Sequence, residues 1–192
     1  MALESTIARY LDARDFEAAA SAIVRGYGPE IVGYLASLAR DLDRAHDVFS
    51  QVCEDIWRGL PDFRREASTR TWLYKLAWRA WLRHERDAFR RHGRPLVTEQ
   101  MSRLAAEVRS TTALHLKTGV KDAVARLREK LTPDEQSLLV LRIDRDLAWS
   151  EIASIMSSPG HEVAPPTLAK RFERVKTKLR KLAEEAGLIG RE

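Results

Sequence analysis

The sequence predicts an all-α protein: two small helical domains joined by a linker, the C-terminal one a helix-turn-helix. Three observations carry this. Only 9 glycines and 7 prolines punctuate the 192 residues. No window alternates apolar and polar residues as a half-buried strand would. A polar stretch over 94–119 lacks a strong apolar stripe, has helix signals on both sides, and is long for a connection inside one compact domain. The domains are therefore expected over 1–93 and 120–192.

The elements follow in order. Asp15 stands where it can cap a short helix beginning at Phe16. A second helix is expected over 29–39, with Pro29 at an early position where its missing N–H costs nothing. Asp41 or Asp43 opens a third, which carries Val48, Val52, Ile56 and Trp57 and ends near Gly59-Leu60-Pro61. The fourth starts at Ser68-Thr69 and runs to about His92, where Gly93 and Pro95 stop it. The linker, with Ser110-Thr111-Thr112, has some helical tendency. Beyond it, helices are expected over 121–130, 132–143, 149–156 and 167–186. The second of these opens on Thr132-Pro133-Asp134-Glu135: a cap, a proline at the first position and a glutamate at the third.

Composition excludes several classes. Hydrophobic residues at 44% and charged residues at 32% suffice for a core. No run approaches the roughly 18 apolar residues of a membrane span. The N-terminal MALESTIARYLDARDFEAAA lacks the basic-then-apolar order of a secretory signal, so a cytoplasmic location is expected. The single cysteine, Cys53, permits neither an internal disulfide nor a cysteine-cluster zinc site. His46, His84, His92, His115 and His161 include no pair at i,i+4 spacing. No glycine-rich phosphate loop and no Gly-x-Ser-x-Gly elbow occurs, and the acidic residues interleave with bases as on a solvated helix surface. No catalytic residue, metal ligand or cofactor is expected. The net charge of +5 favours a polyanionic partner instead.

Two helices give that charge a place. On a wheel advancing about 100° per residue, Lys75, Arg79, Arg83, Arg86 and Arg90 fall near Trp72. Tyr74, Ala77, Trp78, Trp81, Leu82 and Phe89 gather opposite. Stacking on an aromatic, with Lys and Arg tracking the backbone, is how proteins hold single-stranded nucleic acid. The same pattern also fits a solvated face whose Trp72 packs against the neighbouring loop.

The other helix lies near the C-terminus. Leu147 to Met156 reads as a short amphipathic helix, followed by a connector with Ser157, Pro159, Gly160, Pro165 and Pro166. A longer helix then carries an apolar stripe of Leu168, Phe172, Val175, Leu179 and Leu182. Lys170, Glu173, Arg174, Thr177 and Lys181 point away from the stripe, and Thr167, Arg171 and Lys178 flank it. One face to pack and one face of cations and polar groups is the pattern of a recognition helix in a major groove. An ordinary basic amphipathic helix shows it too.

From about Phe16 to Leu188 the order of parts resembles a sigma factor of bacterial RNA polymerase, in the extracytoplasmic-function group of the sigma-70 family. Thr71-Trp72-Leu73-Tyr74-Lys75-Leu76-Ala77 is similar to the family's Trp-Leu-Tyr-Arg-Ile-Ala stretch, in the helix that melts and reads the promoter −10 element. Trp149-Ser150-Glu151-Ile152-Ala153 is similar to its Tyr-x-Glu-Ile-Ala opening of the helix-turn-helix, and Leu138-Leu139-Val140-Leu141-Arg142 to the apolar helix before it. Thr167-Leu168-Ala169-Lys170-Arg171-Phe172 looks like its Thr-Val-Lys-Ser-Arg-Leu recognition helix for the −35 element.

The resemblance implies that Trp72, Lys75, Arg79 and Arg83 face the melted −10 strand, and that Thr167, Lys170, Arg171, Arg174 and Lys178 dock in the −35 groove. It implies a polymerase-facing surface through Asp47, Gln51 and Trp57. The implied partners are promoter DNA and core RNA polymerase, through the clamp helices of its largest subunit and its beta flap, with an anti-sigma factor or a kinase as candidate regulators and no membrane. Three positions depart from the family. Its acidic Asp-Ala-Glu-Asp docking patch reads Arg44-Ala45-His46-Asp47 here, its asparagine after the Ile-Ala stretch is Arg79, and the connector carries an insertion around 159–165. Ser50, one turn past His46, is a candidate phosphorylation site that would restore about −1.5 to −2 of charge to the reduced patch. Two rival classes are a stand-alone helix-turn-helix regulator and a helical protein-interaction adaptor.

Overall fold

The computed structural model describes residues 3–86, 99–117 and 123–190. Every regular element among them is helical. The chain divides into two compact units, residues 1–36 with 41–117, and residues 37–40 with 118–192. No helix of the described residues is long and apolar enough to cross a membrane.

In the first unit, helix α1 spans Leu3–Asp12, which no sequence signal had marked. Helix α2 runs unbroken over Phe16–Ala39, where two helices were expected. Asp15 does cap it, its Oδ1 accepting from the Ala18 N–H at 3.0 Å. Pro29 is an interior residue, not an early one, and removes the bond that position 29 would give to the Arg25 carbonyl. Burial on both sides of the proline outweighs that loss: Ile23, Val24, Ile31, Val32, Tyr34 and Leu35 are all core residues. Gly28, just before the proline, has no Cβ to meet the pyrrolidine ring.

Helix α3, Leu42–Gly59, is capped by Asp41, whose side chain accepts from the Arg44 N–H. A 3₁₀ turn over Leu60–Asp62 ends it. Helix α4 spans Thr69–Arg86, with Ser68 Oγ accepting from the Thr71 N–H at 3.0 Å. Its expected continuation to His92, with Phe89 and Arg90, lies outside the described residues, as do residues 94–98. Tyr74, Ala77, Trp78 and Trp81 are buried as the wheel predicted, and Leu82 is half-buried. The Tyr74 ring meets Tyr34 of α2 edge-on at 5.1 Å, and its hydroxyl donates to Glu30 at 2.7 Å.

The stretch read as a linker differs. Residues Glu99–Lys117 form helix α5, which packs on α3 within the first unit. Met101, Leu104, Ala105 and Val108, spaced i, i+3, i+4 and i+7, are buried. Four small-to-medium apolar residues in a polar segment make too narrow a stripe to stand out by eye. The seat is close: a Cβ on Gly28 would lie 2.8 and 2.9 Å from the two γ-carbons of Val108.

In the second unit, α6 spans Ala123–Arg128 and α7 Pro133–Leu139; the start of the helix expected over 121–130 lies outside the described residues. The capping box at α7 forms as its sequence predicts, Thr132 N–H to Glu135 Oε2 at 2.8 Å and Glu135 N–H to Thr132 Oγ1 at 3.3 Å. The helix expected to reach 143 loosens after Leu139 into a π-helical turn over Val140–Asp144. Wide bonds from Arg145 N–H to Val140 O and from Leu147 N–H to Leu141 O, both 3.0 Å, then close it. Helix α8, Trp149–Met156, and helix α9, Pro165–Glu185, are the helix-turn-helix pair. They lock through Trp149 and Phe172, edge-on at 5.6 Å.

The Gly28–Val108 seat makes the packing of α5 testable. Gly28→Ala should destabilise the protein by about 1 kcal/mol in urea unfolding, overpacking outweighing the gain in helix propensity. Adding Val108→Ala should make the double variant more stable than the sum of the two single losses, because the added methyl enters the vacated space. Strict additivity would place α5 elsewhere.

Candidate nucleic-acid interface

Helix α4 has a packed side and an open side. The buried side holds three aromatics, so the opposite arc is turned outward by default. Trp72 begins that arc and is half-buried. Its indole stacks on Phe63 at 4.6 Å with an interplanar angle of 25°. It also lies over the end of α3, where a Cβ on Gly59 would meet its Cζ2 at 3.1 Å. Trp72 therefore packs on the neighbouring loop, as one of the two sequence readings expects, and is left half-buried there.

The cations of this arc are not equivalent. Lys75, Arg79 and Arg83 are all half-buried. Arg83 forms an ion pair with Asp55 of α3. Arg79 differs: its Nε is enclosed and has no hydrogen-bond acceptor among the described residues. A donor in that condition keeps its full desolvation cost until an acceptor arrives. Phe63 escaped the sequence reading, though a lone aromatic in the polar stretch Pro61 to Ser68 is a signal that something must cover it.

On α3, Asp47 is exposed and Gln51, one turn on, is half-buried beside it. Trp57, also half-buried, sits about 80° round the helix from Asp47 at 100° per residue. At the reduced acidic patch, Arg44 turns inward to α4, bonding Glu85 at 2.5 Å and lying 5.6 Å over the Trp81 ring. Ala45 is core. Ser50 is half-buried, and its hydroxyl donates to the His46 carbonyl at 3.0 Å.

In the second unit, Leu168, Phe172 and Val175 form the buried side of α9. Thr167, Lys170, Arg171 and Arg174 are exposed. Arg171 and Arg174 border a cleft of about 390 Å³ between α9, the start of α7 and His161. Lys178 stands apart, its Nζ donating to Glu135 at 2.6 Å and tying α9 to α7. The inserted connector is compact. Pro159 and Gly160, the latter at φ +78, make the two central residues of a turn closed by Ser158 and His161 at 2.8 and 3.1 Å. Val163 is buried beyond it, its N–H bonded to Ser157 Oγ at 3.0 Å. The insertion thus folds against its own unit and leaves the outer face of α9 uncovered. No group of three or more His, Cys, Asp or Glu residues able to hold a metal occurs among the described residues.

The cations on the arc of α4 that carries the Trp72–Phe63 stack, and those on α9 of the helix-turn-helix, make up the candidate nucleic-acid interface. Comparison with known proteins sharpens this. Residues 23–94, which include α3 and α4, match sigma-70 region 2. The chain is similar to the RNA polymerase sigma factor YlaC of Bacillus subtilis, at 28% identity over 166 residues, covering 85% of this chain and 94% of the relative. It is also similar to the RNA polymerase sigma-H factor of Pseudomonas aeruginosa, at 25% identity over 143 residues, covering 71% of this chain and 74% of that one. The comparisons thus place a sigma-70 region 2 within this chain and a likeness to RNA polymerase sigma factors over most of its length.

The Lys178–Glu135 tie carries a pH signature. Burial opposes the charge on Glu135, but the bonds from Lys178 and Thr132 outweigh it and hold the carboxyl below its ordinary range. A depressed carboxylate contributes stability that is present above its unfolded value, about 4.3, and is lost as pH falls through the folded value. Unfolding of the second unit, followed by urea midpoint, should therefore fall as pH drops below about 5. Glu135→Gln should flatten that fall while lowering the midpoint at neutral pH. An unchanged pH profile in the variant would mean the pair is broken in solution.

Proposed function

We propose that this chain is a cytoplasmic sigma factor that binds core RNA polymerase and directs initiation at promoters carrying −10 and −35 elements, as a specificity subunit and not a catalyst. The observation that carries the reading is the Trp72–Phe63 stack on α4, on the same helix arc as the half-buried Lys75, Arg79 and Arg83. A base unstacked from a melting duplex gains about 1–3 kcal/mol on such an aromatic surface. Trp72 takes that role, with Lys75 and Arg79 on the strand's phosphates. Arg83 serves the strand only by exchanging Asp55 for a phosphate, so its first task is to hold α4 on α3.

On α9, Thr167, Lys170, Arg171 and Arg174 enter the −35 major groove, where a bidentate Arg contact discriminates a base by about 1–3 kcal/mol. Lys178 reaches a phosphate only by giving up Glu135. The domain roles follow: residues 1–93 for polymerase and the −10 strand, and 120–192 for the −35 element. Asp47, Gln51 and Trp57 supply the polymerase surface toward the clamp helices, and the beta flap is the partner of the C-terminal domain. An anti-sigma protein or a kinase acting at Ser50 fits the reduced charge of residues 44–47, although phosphorylation there must first break the bond to His46.

Run-off transcription with core enzyme over a randomised promoter library tests this. The chain should confer defined start sites. Identical starts with and without it would overturn the reading, and tight specific duplex binding by the chain alone would favour a stand-alone regulator. In the same assay Trp72→Ala should slow duplex opening about tenfold, a barrier change of about 1.4 kcal/mol, with polymerase binding unchanged. Arg174→Ala should instead weaken selection at the −35 element by about tenfold or more.

A further inference from the structure

Helix α1 has no part in the reading above, yet its polar contacts converge on one stretch of chain, the loop 61–68 and the start of α4. The Arg65 guanidinium donates to the Ala8 carbonyl at 3.3 Å and to Asp12 Oδ1 at 2.7 Å. Thr69, a buried residue, donates from its hydroxyl to Glu4 Oε2 at 2.8 Å. The other oxygen of Glu4 accepts from the Tyr27 hydroxyl at 2.5 Å, which ties the same carboxylate to α2. Leu3 lies so close to α2 that a Cβ on Gly26 would fall 2.3 Å from its Cδ2, so α1 is seated by shape as well as by charge.

A second observation is independent of these contacts. The Arg65 backbone has φ +57, the left-handed region that a residue other than glycine holds only where its surroundings fix it. Its side chain is the one that grips α1. Two residues earlier in the same loop stands Phe63, stacked on Trp72. The chain from α1 to the stack is therefore short: α1 holds Arg65, Arg65 fixes the loop, and the loop presents Phe63. An exposed ion pair such as Arg65–Asp12 adds little to global stability, so its use lies in geometry.

We propose that α1 is a strap that sets the pose of loop 61–68, so that Arg65 and Asp12 act as positioning residues for capture of a melted DNA strand on the Phe63–Trp72 stack. They touch no DNA themselves. The inference rests on the −10 reading of that stack. Its test uses the full chain with core RNA polymerase, on templates that the wild type selects from a randomised promoter library. Opening is followed by fluorescence of 2-aminopurine placed in the −10 segment, beside measurements of core affinity, melting temperature and trypsin cleavage after Arg64.

Arg65→Ala and Asp12→Ala should each bind core and melt as the wild type does, yet open templates at least fivefold more slowly and be cut after Arg64 at least fivefold faster. The double variant should be no slower than either single one. Arg65→Gly, which relieves the backbone strain but still loses the grip, should be as slow as Arg65→Ala. Wild-type opening rates in the single variants would overturn the proposal, as would a loss of core affinity large enough to account for the slowing. A wild type that opens no template would reject the −10 reading itself and the strap with it, a result distinct from a wild type that opens templates and variants that do so equally well.

Discussion

Burial of the aromatic side of α4 is the constraint on which the first unit depends. Tyr74, Trp78 and Trp81 leave water together, with α4 packed on α3 and the Tyr74 ring against Tyr34 of α2. Large aromatic side chains dominate core energetics because each removes so much apolar area at once. A helix with that much apolar surface on one side has a single stable orientation. Its other side, with Trp72, Lys75, Arg79 and Arg83, is then left half-buried and away from the aromatic core. The polar bonds that accompany the burial refine the pose: Tyr74 and Arg70 both donate to Glu30 at 2.7 Å, fixing the rotation of α4 against α2.

Electrostatics then divides the basic residues into two kinds. Arg83, Arg44, Arg70 and Lys178 have acidic partners within the fold, at Asp55, Glu85, Glu30 and Glu135. They hold helices together, and a polyanion must compete with those carboxylates to reach them. Arg79 on α4 and the exposed Lys170, Arg171 and Arg174 on α9 have no such acid bonded to them among the described residues, so a polyanion would meet no competing carboxylate there. Net charge alone hides this distinction, since it counts both kinds equally.

Much of this was legible in the sequence because it depends on local pattern. The aromatic spacing of α4 gave its buried side correctly, the Thr132–Glu135 box formed at the expected place, and the Leu168, Phe172 and Val175 stripe packs as its period requires. The likeness to sigma factors was carried by short motifs in both halves. What escaped depends on distant neighbours. Pro29 reads as a helix start until burial on both sides of it is known, and α5 reads as a tether until Val108 is seen against Gly28. The roles of individual cations were illegible for the same reason: Asp55 is 28 residues from Arg83, and Glu135 is 43 from Lys178. Helix α1 was missed because its anchors, Arg65 and Thr69, lie far along the chain.

The central claim is that α4 and α9, in two separate units, hold one promoter at two places. Tethering a hydroxyl-radical cleavage reagent to Arg64→Cys or to Thr177→Cys on the exposed side of α9, in a Cys53→Ala background within the assembled polymerase, tests it most directly. The account predicts cuts confined to the melted −10 segment from position 64 and to the −35 duplex from position 177, on the same DNA molecule. Overlapping cuts from the two positions, or cuts at position 64 that persist on fully duplex DNA, would contradict it.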